Sequence, residues 1–199
     1  MGRSFPKRGG PGRSPRIIAP AVADGSFLSF TNVVEAHVLS ALRKKHELEL
    51  DAIRKAVRYV HEKLEVERPL AMEQFKTDGV SLFVERFGDL INASAEGQVA
   101  MREILAAYLE RIEYDQGRAI RFFPLHREAA PRLVVVDPRR AFGRPVIVGT
   151  SVPVADIRAR FDAGDGFEEL ARDYDLSIDR IEEALRAAPK AGHGERSAA

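Results

Sequence analysis

The sequence contains no cysteine. That absence removes disulfides, zinc–thiolate sites and thiol nucleophiles together, and it fits a reducing cytoplasm. Long apolar runs are missing as well. The runs present are short, such as Leu133 to Val136, far below the roughly 20 residues that a membrane-spanning helix needs. No HExxH, no G-x-S-x-G elbow and no P-loop occurs. Gly143 to Ser151 is bracketed by glycines and ends in Thr150 and Ser151, but the Walker lysine is absent and a proline follows, so a structural turn is expected. The histidines His37, His46, His61, His126 and His193 are scattered. His37 falls in the apolar register of a helix, as a core or boundary residue would. Asp78 and Asp89 stand beside glycines, where turn hydrogen bonding accounts for them. No constellation joins a nucleophile, a base and an orienting group, so the expectation is a non-enzymatic protein with no cofactor and no metal.

What is present is a globular composition: 199 residues, 45% hydrophobic and 31% charged. This length holds one ordinary domain or two small ones. Residues 1–16 carry Arg3, Lys7, Arg8, Arg13 and Arg16 with no acid. They are too rich in Pro and Gly for an amphipathic helix and lack the apolar core of a secretory signal, so they read as a disordered basic arm. The formal net charge is +1, and without the five positive charges of that arm the remainder stands at −4. From Thr150 to Ala188 there are ten acids and five bases. An end of that sign repels nucleic acid and favours a basic partner surface, although a solvated charged face is the plainer account of any single residue.

Along the chain, Ile17 to Phe30 reads as extended, punctuated by Pro20 and Gly25. A helix is predicted from Thr31 or Asn32, capped by Glu35, with Val34, Val38, Ala41 and Leu42 as its stripe. A second runs from about Leu50 to Leu64 on Ile53, Ala56, Val57, Val60 and Leu64, and the two are expected to pack as a hairpin. Arg43, Lys44, Lys45, Arg54, Lys55 and Arg58 are candidates for phosphate contact, with ordinary solvated helix faces as the alternative. From Phe75 to Ala93 the pairs Asp78-Gly79 and Gly88-Asp89 predict β structure around Ser81 to Phe87. Ser94 opens a core helix carrying Met101, Ile104, Leu105, Tyr108 and Ile112, followed by strands at Arg118 to Phe123 and Arg132 to Val136.

The local signals agree best at the C-terminal end. Pro153 suits the first position of a helix bearing Val154, Ile157 and Phe161 and stopped by Gly164. Asp165 and Glu168 have capping-box spacing before a helix with Phe167, Leu170, Ala171 and Tyr174. Ser177 caps a third with Ile178, Ile181, Leu185 and Ala188, and Pro189 ends it. The last two helices have helix-turn-helix spacing. The final helix offers Asp179, Arg180, Glu182, Glu183 and Arg186, a net negative face that a phosphate-lined groove opposes. Two readings of this module stand side by side: a protein-docking unit, with Glu168, Glu169, Arg172, Asp179, Glu182 and Glu183 as partner-binding candidates, or a trihelical structural cap.

The run Asp137-Pro138, Gly143-Arg144-Pro145-Val146-Ile147, Gly149-Thr150 and Val152-Pro153-Val154 resembles the antitoxin-associated domain of unknown function 433. Phe161, Ala163-Gly164, Leu170-Ala171, Tyr174 and Ile181 continue the likeness. Upstream, Leu28-Ser29-Phe30, Val34-Glu35-Ala36, Ile53-Arg54, Pro69-Leu70-Ala71, Thr77-Asp78-Gly79 and Gly97-Gln98 resemble the VapB-type antitoxins that carry this domain. The resemblance spans about Ile17 to Ala188. It implies an antitoxin of a type II toxin–antitoxin system, a homodimer that binds a PIN-like ribonuclease toxin and regulates its own operon by contacting operator DNA. It assigns Gly143, Arg144, Pro145, Gly149, Thr150 and Pro153 to a structural motif. It also implies a MerR-like helix-turn-helix ahead of the wing-like Ile17 to Phe30, and the sequence before Ile17 does not match one. A stand-alone DNA-binding transcriptional regulator is the alternative.

The resulting expectation is an α+β protein. Its parts are a basic arm (1–16), a wing-like segment and helical hairpin (17–68), an α/β middle region (69–132), a three-helix antitoxin-associated module (133–188) and a disordered tail (189–199).

Overall fold

A computed structural model describes residues 16–22, 27–43, 50–124 and 130–188. Among them are seven α-helices and two two-stranded sheets, a mostly helical α+β fold. Among the described residues no helix is long and apolar enough to cross a membrane. The basic arm up to Pro15, Lys44, Lys45, His46, His126, Pro189, His193 and the tail lie outside the described residues.

The described residues fall into two compact units: one takes those up to Glu110 with Tyr114–Ala119, the other takes Arg111–Glu113 and those from Ile120. The division falls within residues 111–120.

In the first unit α1 spans Phe30–Arg43 and α2 spans Leu50–Leu64. Helix α1 starts one residue before the predicted point because Ser29 and Asn32 cap each other: Asn32 N donates to Ser29 Oγ at 3.2 Å and Ser29 N donates to Asn32 Oδ1 at 3.0 Å. Glu35 is not the cap. It is buried and accepts from Asn32 Nδ2 at 3.1 Å, with Arg68 Nη1 3.6 Å away. The predicted stripes do turn inward, with Val34, Val38 and Ala41 on α1 and Ile53, Ala56 and Val60 on α2 all buried. Among the described residues the main packing of these helices is not against each other. Helix α1 packs on α4 (Ala95–Leu109) and α2 packs on α3 (Val80–Ile91).

Helix α3 overturns the β reading of Phe75 to Ala93. A short π-helical turn, Phe75–Gly79, runs straight into it. The physical reason lies in the two glycines that resemble turn markers. A Cβ on Gly79 would sit 2.6 Å from the Phe75 ring, and one on Gly88 would sit 2.8 Å from the Gln98 amide of α4. Both are glycine because a neighbour lies where a side chain would go. Phe83 stacks on Phe87 at 5.6 Å and meets Phe75 edge-on at 6.2 Å, forming the aromatic centre of this unit. Ser94 caps α4 as predicted, accepting from Gly97 N. That helix ends at Leu109, so Ile112 belongs to strand β1 (Ile112–Asp115), which Gln116 and Gly117, both at positive φ, connect to β2 (Arg118–Phe122).

In the second unit β3 (Val134–Val135) pairs antiparallel with β4 (Val146–Ile147), Val134 opposite Ile147 and Val135 opposite Val146. Adjacent strand residues face opposite ways. Val134 and Ile147 join the helical core, while Val135 and Val146 pack with Phe123. That helical core is built from α5 (Val154–Asp162), α6 (Phe167–Tyr174) and α7 (Ile178–Ala187). Ile157, Leu170, Ile181 and Ala184 are fully buried in it. The three short helices thus bury their apolar stripes in one common core.

Candidate functional site

The site is built on the second unit, where the glycine- and proline-containing motif fixes the entry to α5. Gly149 has φ +80°, a conformation that L side chains resist. Thr150 Oγ1 then donates to Ile147 O at 2.9 Å and accepts from Val152 N at 3.1 Å, so one hydroxyl closes the turn after β4. Pro145 O accepts from Val154 N at 2.9 Å, and Pro153 is the N-cap of α5. Arg144 Nη1 lies 3.6 Å from Asp156 in the first turn of that helix. Gly143, at φ +76°, completes the set. The motif is therefore a scaffold that ties β4 to α5.

Helices α5 and α6 are joined by Arg160. Its guanidinium donates to Asp165 at 2.5 Å and to Asp173 at 2.7 Å, and it lies over the Tyr174 ring at 5.4 Å. The two carboxylates hold its pKa above the ordinary arginine value. Asp165 is thus committed to Arg160 and caps nothing: the N-cap of α6 is Gly166, with no side-chain cap bond. Asp175, in the left-handed conformation at φ +53°, ends α6, and Leu176 N returns to Ala171 O at 2.9 Å. Ser177 is the N-cap of α7, although its side chain makes no cap bond.

The candidate partner-binding residues separate into three kinds. Glu183 is only 2% exposed and pairs with Arg186 at 3.4 Å, so it is a buried residue and no docking group. Glu182 is half-buried and pairs with Arg186 at 2.6 Å. Glu168, Glu169, Arg172 and Asp179 are exposed. Most of the module's bases are engaged internally. Arg158 donates to Leu185 O and faces Asp162 at 3.5 Å, and Arg180 donates to Val148 O. Among the described residues Glu168, Glu169, Asp175 and Asp179 form no ion pair. Glu168, Glu169 and Asp179 lie in the first turns of α6 and α7, where the helix dipole favours acids, while Asp175 is the C-cap of α6. Beside them Phe161, Phe167 and Leu185, with Arg158, Glu182 and Arg186, line an open groove of about 400 Å³.

The phosphate candidates scatter. Arg43 is the last residue of α1, and Arg54 pairs with Asp51 on α2. Lys55 and Arg58 are exposed on α2, three residues apart and so on one face. His37 Nε2 lies 3.2 Å from Tyr108 O, and His61 Nδ1 lies 2.6 Å from Val66 O. Among the described residues no group of three or more His, Asp or Glu could hold a metal ion.

A left-handed turn between β3 and β4 has no signature in the sequence. Ala141, Phe142 and Gly143 have φ of +44°, +56° and +76°, and two of the three carry a Cβ. Each such residue costs about 1–2 kcal/mol. The turn displays Phe142 at 99% exposure. It is anchored by Asp137, 3% exposed, whose Oδ1 accepts from Arg139 N at 2.9 Å and Nε at 3.1 Å while Oδ2 accepts from Nη2 at 3.1 Å. These Arg139 bonds hold the Asp137 carboxyl below its ordinary pKa against the opposing effect of burial.

Comparison with known proteins matches residues 134–187, from the start of β3 to the end of α7, to the family described as Protein of unknown function (DUF433). A Mycobacterium tuberculosis protein named Putative antitoxin VapB45 is 32% identical over 174 residues, covering 80% of this chain and 71% of that protein. Uncharacterized protein Rv2308 of the same organism is 38% identical over 52 residues, 26% of this chain and 22% of that one. The crystal structure of Rv2018 from Mycobacterium tuberculosis superposes with a TM-score of 0.64 at 28% identity, covering 80% of this chain and 79% of that one. With similarity running through both units and a DUF433 match that coincides with the β3–α7 module, this chain belongs to the family of VapB-type antitoxins that carry a DUF433 domain.

Proposed function

We propose that this protein is the antitoxin of a type II toxin–antitoxin pair, binding and neutralising a PIN-like ribonuclease encoded beside it. The observation that carries the reading is the relationship to an antitoxin-named protein over 80% of the chain. No catalytic step is assigned to the chain itself. The docking face in this reading is the α6–α7 end of the second unit. Glu168, Glu169, Asp175 and Asp179 supply uncompensated negative charge there, and the Phe161–Phe167–Leu185 groove supplies apolar surface. A nuclease that binds RNA presents a basic surface, and such a pair of faces associates quickly and selectively. Arg172, exposed among the acids, sits at the edge of this face.

Regulation of its own operon as a homodimer is the second part of the proposal. Lys55 and Arg58, exposed on one face of α2, supply phosphate contacts. Co-expression with the adjacent nuclease is the test. Co-purification and relief of the nuclease's growth inhibition are expected. If the nuclease stays toxic and does not co-purify, the antitoxin reading fails. Tight DNA binding without any nuclease partner would then favour a stand-alone regulator.

A further inference from the structure

We propose that the left-handed turn at Ala141–Gly143 is a nucleic-acid contact, with the Phe142 ring meeting a base or sugar face and Arg140 and Arg144 meeting phosphates. This does not rest on toxin binding, and it places the contact on the opposite kind of surface from the acidic helices.

The first support is the presentation of the ring. Phe142 is 99% exposed on a backbone that is itself unfavourable, with φ of +44° and +56° at two residues bearing a Cβ. The turn does not bury the ring, so the fold gains nothing from it in isolation. Strain of this sort collects where a side chain is being aimed at something. Asp137 fixes the base of the turn, Gly143 N donates to Arg140 O at 2.9 Å and Arg144 N to Ala141 O at 3.1 Å. The ring is therefore held out by a closed set of backbone bonds and not by a floppy loop.

The class of partner follows from what surrounds the ring. Protein-docking aromatics sit within other apolar groups and are rimmed by polar ones. Among the described residues of this unit the other exposed large apolar side chains, Phe167 and Ile178, are on α6 and α7 and not on this turn. Around Phe142 in sequence are three guanidinium groups, Arg139, Arg140 and Arg144. Arg139 is occupied by Asp137. Arg140 has only a 3.4 Å contact to Thr150 O, and Arg144 has a 3.3 Å contact to Ala141 O and a 3.6 Å ion pair to the half-exposed Asp156. Such contacts yield readily to a phosphate. A flat exposed ring flanked in sequence by loosely held guanidiniums has the chemistry for stacking or wedging against nucleotides with phosphate neutralisation.

The test uses the full chain without any nuclease. Anisotropy is measured with a labelled mixed-sequence oligonucleotide, as duplex and as single strand, across a salt series. The variants are Phe142→Ala, Phe142→Tyr and the double variant Arg140→Ala with Arg144→Ala. All three side chains are exposed, and circular dichroism with a melting curve checks that loss of the 3.6 Å Arg144–Asp156 pair leaves the double variant folded. Phe142→Ala is expected to weaken binding about tenfold with the salt slope unchanged, and Phe142→Tyr to restore it. The double arginine variant is expected to lower the slope of log affinity against log salt by about 2, close to one for each phosphate no longer neutralised. The arm that responds identifies duplex or single strand as the ligand. Unchanged affinity and slope in both arms overturns the proposal. Loss of nuclease co-purification by the same variants, with oligonucleotide affinity intact, also overturns it and makes the turn a protein-docking element.

Discussion

The guanidinium of Arg160 on α5 meets the carboxylate of Asp173 on α6 at 2.7 Å while holding Asp165, in the intervening loop, at 2.5 Å. One side chain thereby sets the loop and the helix that follows it. Arg160→Ala is expected to lower the melting temperature of the protein. Arg160→Lys is expected to restore only part of the loss, because an ammonium lacks the planar fork and the stacking surface offered to Tyr174. High salt is expected to narrow the difference between wild type and Arg160→Ala, since the pairs are partly exposed. Equal melting temperatures at low salt would remove this role.

Ile181 is fully buried where the three C-terminal helices converge. Truncation there leaves a cavity, and Ile181→Ala is expected to destabilise by about 2–5 kcal/mol. Denaturant titration measures this directly. Hydrogen exchange is expected to place the loss in α5, α6 and α7, with the amides of α1 to α4 keeping their protection.

Glu168, Glu169 and Asp179 are the uncompensated acids of the proposed docking face. Reversing them together to lysine is expected to weaken affinity for the nuclease at least tenfold and to slow association, with the neutral Gln and Asn versions in between. Glu183→Gln is the contrasting variant, since that residue is buried and paired. It is expected to change stability and to leave the association rate alone. Unchanged nuclease affinity after charge reversal would move the docking face elsewhere.

Burial raises the pKa of Glu35 above its ordinary 4.5, with Arg68 and Asn32 opposing the shift. A carboxyl that binds its proton more tightly in the folded state contributes stability that is complete below 4.5 and is lost as pH rises through the raised value. At neutral pH the ionised Glu35 is therefore a cost. Glu35→Gln is expected to melt at or above the wild-type temperature at neutral pH, the gap closing as the pH falls towards 4.5. A gap that widens on acidification would contradict the assignment.

The helices of the second unit are legible in the sequence because each carries its own punctuation. Pro153, Gly164 and Ser177 mark ends, and Ile157, Leu170 and Ile181 recur at helical spacing. Helix α3 is disguised, although its apolar residues Val80, Phe83, Val84 and Phe87 follow the same spacing. Gly79 and Gly88 imitate turn residues. A glycine required by the approach of Phe75 or Gln98 looks, in one dimension, like a glycine required by a turn. The acidic face is legible as a charge count, but its membership is not. Only the fold reveals that Glu183 is inside and that Asp175 belongs with the exposed acids. Phe142 stays hidden for a related reason, since an isolated aromatic between arginines gives no periodicity to read.

The two-residue ladder of β3 and β4 serves two cores at once, Val134 and Ile147 towards the helices and Val135 and Val146 towards Phe123. Because neighbouring strand residues alternate in direction, a slip of one position exchanges the sets and leaves both cores mismatched. The connection from Val136 to Pro145 can therefore vary only in ways that leave Val134 opposite Ile147 and Val135 opposite Val146.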